Sequence, residues 1–321
     1  MNKFKILITS YPFCDKDKTP FKLLNDSGFI IDKSVMNLKR KLTKEELLER
    51  IKDVDAVIAG TEKYNAEILE EAKKLKLISR LGIGLDSIDF AETKKRKIAV
   101  AYTPDAPSRA VAELTLGLMI NAARRVLTVD NDMRNGKWNR FVGADISNKI
   151  IGIIGLGRIG KLMVKFLRPF DCRIFVNDIA PDYDFIKENE LVLCPKNKIY
   201  RLSDVITLHI PLTKKTQNMI TSKQLEIMKK NAVLINASRG GIINEEDLFF
   251  HLTNTLDFYT AIDAFEKEPY SGKLCSLKNI ILTPHLGSCS EHSRYLMETG
   301  AVKNVIDFFC EIETNPNILF S

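Results

Sequence analysis

The 321-residue sequence has no long apolar run: its N-terminus, MNKFKILITS, holds only a three-residue one. No later stretch approaches the roughly 18 uninterrupted apolar residues of a membrane span. A secretory leader and a membrane anchor are therefore not expected. Cysteine is sparse, with six residues at 14, 172, 194, 275, 289 and 310. They include no CxxC pair, so neither a disulfide framework nor a metal site is expected. Reduced core thiols in a cytoplasmic protein fit this pattern. Histidine is sparser still, at four residues, which limits the candidates for acid–base work near neutral pH. The net charge of +7 is not gathered into a basic, aromatic-interleaved tract. Segments such as ETKKRK (92–97) and LKRKLTK (38–44) read as solvated helix faces, and nucleic acid is not an expected partner. Internal repeats and low-complexity tracts are also missing.

What is present is alternation. With 45% hydrophobic residues, the chain can bury the cores of two ordinary domains. Apolar runs KILIT, IIDKSV, DAVIAG, LKLISRL and IAVAYT are separated by charged periodic segments such as TKEELLERIK and NAEILEEAKKL. Thr43 with Glu46 spells a capping box, and Asn65 heads the next helix in the same way. Such βα alternation predicts a parallel sheet with helices on both faces, complete by about residue 101. TPDAP (103–107) reads as a hinge before a long, nearly uncharged helix, SRAVAELTLGLMINAARRV. A second alternation follows from residue 150 through VITLHIP, AVLINAS, FYTAID and NIILTPH. The last helical segment, SEHSRYLMETGAVKNVIDFFCEI, has apolar periodicity at Leu296, Val302, Val305, Ile306 and Phe309 and is expected to return to the first domain. The expected architecture is α/β, with two doubly wound parallel-sheet domains and a cleft between them. One domain spans 1–101 plus 289–321, and the other spans 102–288.

Residues 150–178 are the most informative stretch. Gly155, Gly157 and Gly160 follow an apolar strand and open a helix running from Ile159 to Leu167. In a dinucleotide site the first glycine makes the tight turn, the second lets a pyrophosphate approach the backbone, and the third lets helix and strand pack closely. The phosphates then meet the free N–H groups of a helix N-terminus. A second strand, CRIFVN, ends at Asp178, about 20 residues past the glycines, where a carboxylate accepts from both ribose hydroxyls and repels a 2′-phosphate. NAD rather than NADP is the expected cofactor; a solvated strand-end aspartate is the plainer reading of Asp178.

Of the four histidines, His251 and His292 fall in helical segments and read as ordinary helix residues. His209 closes the strand VITLH and would line the cofactor. His285 stands past the buried strand NIIL on a turn fixed by Pro284, ahead of a Gly-Ser pair. Arg239 follows the strand AVLIN among small residues, and arginine suits bidentate recognition of a carboxylate. Glu268 precedes Pro269 on an expected extended segment after FYTAID, whose last polar residue is Asp263. Each could be an ordinary loop residue. All four, however, fall at or beyond the carboxyl ends of strands of one sheet.

The motifs LGIGLDSID (81–89), VAELTLGLM (111–119), NGKWNR (135–140), GLGRIG (155–160), LHIPLT (208–213), NASRGGIINEEDL (236–248), AIDAFEKEP (261–269) and ILTPHLGS (281–288) run through nearly the whole chain. In this order they resemble the D-isomer-specific 2-hydroxyacid dehydrogenase family, most closely its short phosphoglycerate dehydrogenase branch. The resemblance implies a flavodoxin-like substrate domain and a Rossmann NAD-binding domain. It implies that Arg239 holds the substrate carboxylate and carbonyl oxygen, that His285 gives or takes the proton, and that Glu268 pairs with the imidazole. Asp263 would bind the nicotinamide carboxamide. Arg158, Ile159, Pro211, Thr216, Ala237, Ser238 and Gly287 would join Gly155, Gly157, Gly160, Asp178 and His209 around NAD, where Arg239 and His285 also reach. Ile83 and Gly84 would bind the substrate carboxylate through their backbone, and Arg80 and Arg140 would be phosphate ligands. The chemistry suits these types: hydride reaches the carbonyl carbon while an imidazolium protonates the oxygen and a guanidinium stabilises its charge. A carboxylate beside His285 would keep it protonated for reduction and fix its tautomer.

Departures from the family pattern are Ser87, where many members carry Asn, and TNTLDFYTAID, which lacks the small residues expected before Asp263. The chain ends soon after the last helix, so a carboxyl-terminal amino-acid-binding domain is not expected. The implied reaction is hydride transfer between NAD(H) and a D-2-hydroxy or 2-oxo acid. The favoured pair is 3-phosphoglycerate and 3-phosphohydroxypyruvate, in serine biosynthesis; hydroxypyruvate, glyoxylate or another 2-oxo acid is the alternative. An NAD-sensing, corepressor-like binding protein is a third reading. A formate dehydrogenase is disfavoured, because glutamine would be expected at Glu268. The long apolar helix and Trp138 suggest a homodimer.

Overall fold

In the computed structural model, residues 4–310, 315 and 317–319 are described. Thirteen strands are found among them. They are β1 (Lys5–Ile8), β2 (Ile30–Asp32), β3 (Ala56–Ala59), β4 (Leu77–Arg80), β5 (Ala99–Ala101), β6 (Ile150–Ile154), β7 (Arg173–Asn177), β8 (Val192–Leu193), β9 (Val205–Leu208), β10 (Val233–Asn236), β11 (Tyr259–Ile262), β12 (Ile280–Leu282) and β13 (Ile318–Leu319). Nearly continuous Val, Ile, Leu and Ala in most of these runs is what a strand covered by helices on both faces requires. β3, β9, β10 and β11 are accordingly buried along their whole length.

The chain divides into two compact units, Met1–Pro107 with Ser290–Ser321, and Ser108–Cys289. The first unit has the order β2-β1-β3-β4-β5, parallel throughout, with β13 antiparallel on β5. This is the flavodoxin-like order, and the direction in which strands are added reverses between β1 and β3. The capping box of Thr43 with Glu46 and the Asn65 cap are both present, each starting a helix where expected. Helix Glu291–Phe309 packs on this sheet through Ala301, Val302 and Val305, and the Ser79 hydroxyl donates to the Ala301 carbonyl at 2.9 Å.

The second unit has the order β12-β11-β10-β9-β6-β7-β8, parallel throughout. It is the Rossmann order with one added strand, reversing between β6 and β9. Helix Ser108–Arg124 covers one face through Ala112, Leu118, Met119 and Ala122. Both doubly wound sheets thus match the expected fold class.

Several local expectations differ. The long helix stops at Arg124, because Arg125 is left-handed with φ 52°, and a second helix covers Val126–Arg134. Segment 38–44 is mostly a turn and loop, since Lys39 is left-handed and the next helix begins at Lys44. Leu296 is exposed although the periodicity put it on the packed face, and residues 311–312 of that segment lie outside the described residues. No disulfide joins the cysteines, all of which are among the described residues, but only Cys14 and Cys194 are buried; Cys275, Cys289 and Cys310 are exposed, so half of them are not core thiols.

Candidate active site

The register of the second sheet assembles the site. Ile154 pairs with Asn177 and Leu208, Leu208 with Asn236, Asn236 with Ile262, and Ile262 with Leu282. The residues just beyond these positions therefore leave one edge together. They are Gly155, Asp178, His209, Ala237, Asp263 and Thr283.

At the glycine turn, a side chain on Gly155 would lie 2.2 Å from the His209 carbonyl oxygen, and its φ is 100°. One on Gly160 would lie 2.1 Å from the Gly155 carbonyl oxygen. Only glycine fits either place, as strand, turn and helix Arg158–Leu167 meet there. Gly157 caps that helix and faces open space, which leaves room for a phosphate against the N-terminal N–H groups. Asp178 accepts from the Leu156 backbone N–H at 2.6 Å and from that of Ala180 at 2.8 Å. Its carboxylate is thus fixed beside the glycine turn, where a ribose would be read. These features fit NAD. Arg158 is exposed at the first turn of the helix, and Ile159 packs against the core.

His209 Nε2 lies 3.0 Å from the Thr207 hydroxyl, while its Nδ1 is enclosed and has no partner. Burial pushes the imidazole down to about 3, so it is neutral. In the following loop, the Thr216 hydroxyl donates to the Pro211 carbonyl at 2.7 Å and lies 2.7 Å from the Thr213 N–H that donates to it.

Past β10, Asn236 organises the arginine turn. Its Oδ1 accepts from the Ser238 hydroxyl at 2.7 Å and its Nδ2 donates to the Arg239 carbonyl at 2.8 Å. Ala237 is buried, Ser238 and Arg239 are half-buried, and the Arg239 guanidinium donates to the Ser238 carbonyl at 2.8 Å. Gly240 presses against the next loop: a side chain there would lie 1.9 Å from the Phe265 carbonyl carbon. This contact sets the Arg239 turn directly against the segment that carries Glu268.

That segment is bent over 266–269 rather than extended, and the Phe265 N–H donates to Glu268 Oε1 at 3.1 Å. Both Glu268 oxygens lie 3.0 Å from His285 Nδ1. An acceptor on Nδ1 fixes the tautomer and turns Nε2 to other work. Asp263, 1% exposed, binds the same turn. Its Oδ1 accepts from the Thr283 hydroxyl at 2.6 Å and the Leu286 N–H at 2.7 Å, and its Oδ2 accepts from the Gly287 N–H at 2.9 Å. The carboxylate is therefore committed to the His285 turn, a task that the resemblance did not suggest. Asn236, Gly240 and Thr283 were missed in the sequence. Their signal was present as the polar ends of apolar strands and as the doubled glycine of NASRGG.

In the first unit, Arg80 ends β4 and donates through Nη1 to the Leu81 carbonyl of its own turn, with half-buried Ile83 and Gly84 next in line. Arg140 belongs to the second unit, on an exposed segment beside Arg124 and Phe141. His251 stacks edge-on against Phe258 in its helix, and His292 lies in the helix Glu291–Phe309.

Residues 116–287 match the family described as D-isomer specific 2-hydroxyacid dehydrogenase, NAD binding domain. The chain is 40% identical over 259 residues to the D-3-phosphoglycerate dehydrogenase of Methanocaldococcus jannaschii, covering 79% of this chain and 49% of that one. It therefore spans about half the length of that relative. It is 36% identical over 284 residues to the glyoxylate reductase of Thermococcus litoralis, covering 85% and 86% of the two chains. The crystal structure of the TT0316 protein from Thermus thermophilus superposes with a TM-score of 0.87 at 28% identity, over 98% and 99% of the chains. With its Rossmann glycines, Asp178 and the His285–Glu268 pair, the chain belongs to the NAD-dependent D-isomer specific 2-hydroxyacid dehydrogenase family.

Proposed function

We propose that the protein interconverts a D-2-hydroxy acid and its 2-oxo acid, with His285 as the acid–base group. The observation that carries this reading is the double contact of Glu268 with His285 Nδ1 at 3.0 Å, set against the Arg239 turn through Gly240. Bound NADH supplies a hydride for the carbonyl carbon. His285 donates the proton from Nε2 to the carbonyl oxygen, and Glu268 stabilises the imidazolium before that transfer. Arg239 holds the substrate carboxylate and the oxygen on which charge develops. On the family resemblance, the backbone of Ile83 and Gly84 is a proposed donor to a substrate carboxylate. In the oxidative direction each step reverses, and His285 accepts the hydroxyl proton.

The phosphoglycerate reading draws support from the Methanocaldococcus relative, and a small-acid reading from the Thermococcus one. The free cysteines support a reducing, cytoplasmic setting. Exposed Trp138, Val142 and Met133 support a homodimer formed through the second unit. The test is NADH oxidation with 3-phosphohydroxypyruvate, hydroxypyruvate, glyoxylate and pyruvate. One substrate should turn over, and His285→Ala should lower kcat about 100-fold or more. Tight NADH binding without turnover of any 2-oxo acid would instead favour an NAD-sensing binding protein.

A further inference from the structure

The acid–base pair of the second unit depends on a loop. Residues 264–269, AFEKEP, leave β11 after Asp263, whose N–H donates to the Asn236 carbonyl as the ladder ends. From Glu266 to Pro269 the loop is exposed, yet Glu268 on it must keep both oxygens 3.0 Å from His285 Nδ1. Misplacing a reacting group by about 1 Å costs up to about 100-fold in rate, so whatever fastens this loop bears on the chemistry.

Two consecutive N–H groups of the loop are each taken by a carboxylate. Phe265 donates to Glu268 Oε1 at 3.1 Å, which closes the loop on itself. Glu266 donates to Glu245 Oε1 at 2.8 Å, which ties the loop to a different element, helix Glu245–Asn254. That helix is a firm support: Leu248 and Leu252 are fully buried in the core, and Asn244 caps it by accepting the Asp247 N–H at 3.0 Å. Asn236, Glu245 and Ala264 also line one small cavity, so the helix start, the end of β10 and the loop meet there. Gly240 meets the same stretch, since a side chain on it would lie 2.4 Å from the Glu266 nitrogen. Placing a third carboxylate here has a cost. Burial and the charges of Glu266 and Glu268 push the Glu245 carboxyl above its ordinary range. A charge-assisted bond from the Glu266 N–H and the positive end of the helix dipole act against that.

We propose that Glu245 is a positioning residue for the acid–base pair: by accepting the Glu266 N–H, it holds the loop where Glu268 meets His285. This inference rests on the dehydrogenase reading and deepens it. The part Glu245 plays is that of an acceptor for a backbone N–H, so glutamine can take it over, whereas a side chain too short to reach cannot. Its effect passes through the Glu268 side chain and vanishes where that side chain is gone.

The test is a double-mutant cycle on kcat, run with NADH and the 2-oxo acid that the wild type reduces fastest. NADH binding by fluorescence and the thermal midpoint are measured in each variant. Glu245→Ala should lower kcat about tenfold or more with NADH affinity unchanged, whereas Glu245→Gln should stay within about threefold of the wild type. In a Glu268→Ala background, Glu245→Ala should change kcat by less than about twofold, because the side chain it positions is absent. A residue that serves only the fold would lower kcat by the same factor in both backgrounds, and that result overturns the proposal. So does Glu245→Ala with kcat intact, or Glu245→Gln as slow as Glu245→Ala. Should Glu245→Ala fail to fold, Glu245→Ser, which suits the first turn of a helix and is too short to reach the Glu266 N–H, takes its place in the cycle. A wild type that turns over no 2-oxo acid removes the dehydrogenase reading itself, and the role of Glu245 falls with it.

Discussion

His285 is held in a backbone conformation that non-glycine residues seldom adopt, with φ 57°, so something must stabilise its turn. Asp263 does so with three hydrogen bonds to residues on both sides of the histidine, one of them from the Thr283 hydroxyl. Thr283→Val keeps the shape and removes that one bond. The imidazole would then sit loosely, and kcat should fall roughly 10- to 100-fold with little change in KM. Thr283→Ser should restore it, and NADH affinity should not move. Weaker NADH binding with kcat preserved would mean that Asp263 serves the cofactor instead, as the family resemblance implies. His209 makes a second prediction, on stability. The native imidazole is neutral because burial lowers it to about 3, whereas the unfolded chain takes a proton below about 6.5. The unfolded state therefore binds more protons across that window, and stability is lost as pH falls. Relative to His209→Asn, which cannot titrate there, the wild type should lose about 2 kcal/mol between about pH 7 and pH 5. Urea unfolding at the two pH values measures it; an equal dependence in both proteins would show that the native His209 titrates normally.

At the scale of elements, the legible parts were those in which one physical requirement dominates a run of residues. β9, β10 and β11 are buried on both faces and so read as near-continuous apolar runs. The glycine turn was equally legible, because two backbone approaches of about 2 Å admit no side chain. Short elements gave no such signal. β8 is two residues long and half-covered, and the helix Tyr183–Glu188 buries only Ile186, so neither imposes a period on the sequence. The break at Arg125 was hidden for a different reason. A left-handed arginine there is stabilised by distant groups, with its guanidinium 2.9 Å from Asp257 and stacked over Phe141 and Tyr259. The site follows the same division. His285, Glu268 and Arg239 stand out as charged residues past strand ends. Asn236, Gly240 and Thr283 act through contacts between loops far apart in sequence, and only the register of the sheet brings those loops together.

At the scale of the whole molecule, the second unit exposes apolar surface that its own core does not need. Helix Val126–Arg134 buries none of its residues, and after it Trp138 is 79% and Val142 93% exposed. Single exposed apolar residues are ordinary, but a succession of them along one segment marks an interaction surface. A second copy of the chain is the proposed occupant, since a two-fold axis lets one such segment cover its own equivalent. Light scattering at micromolar concentration should then give twice the 36.4 kDa of one chain. A Trp138→Glu, Val142→Glu double variant places four charges at that axis. It should run at the mass of one chain and keep its fold, because neither side chain contributes to the core. Its thermal midpoint should also lose the dependence on protein concentration that association imposes on the wild type. A wild type that scatters as a single chain would remove the dimer, and these apolar side chains would then need another partner.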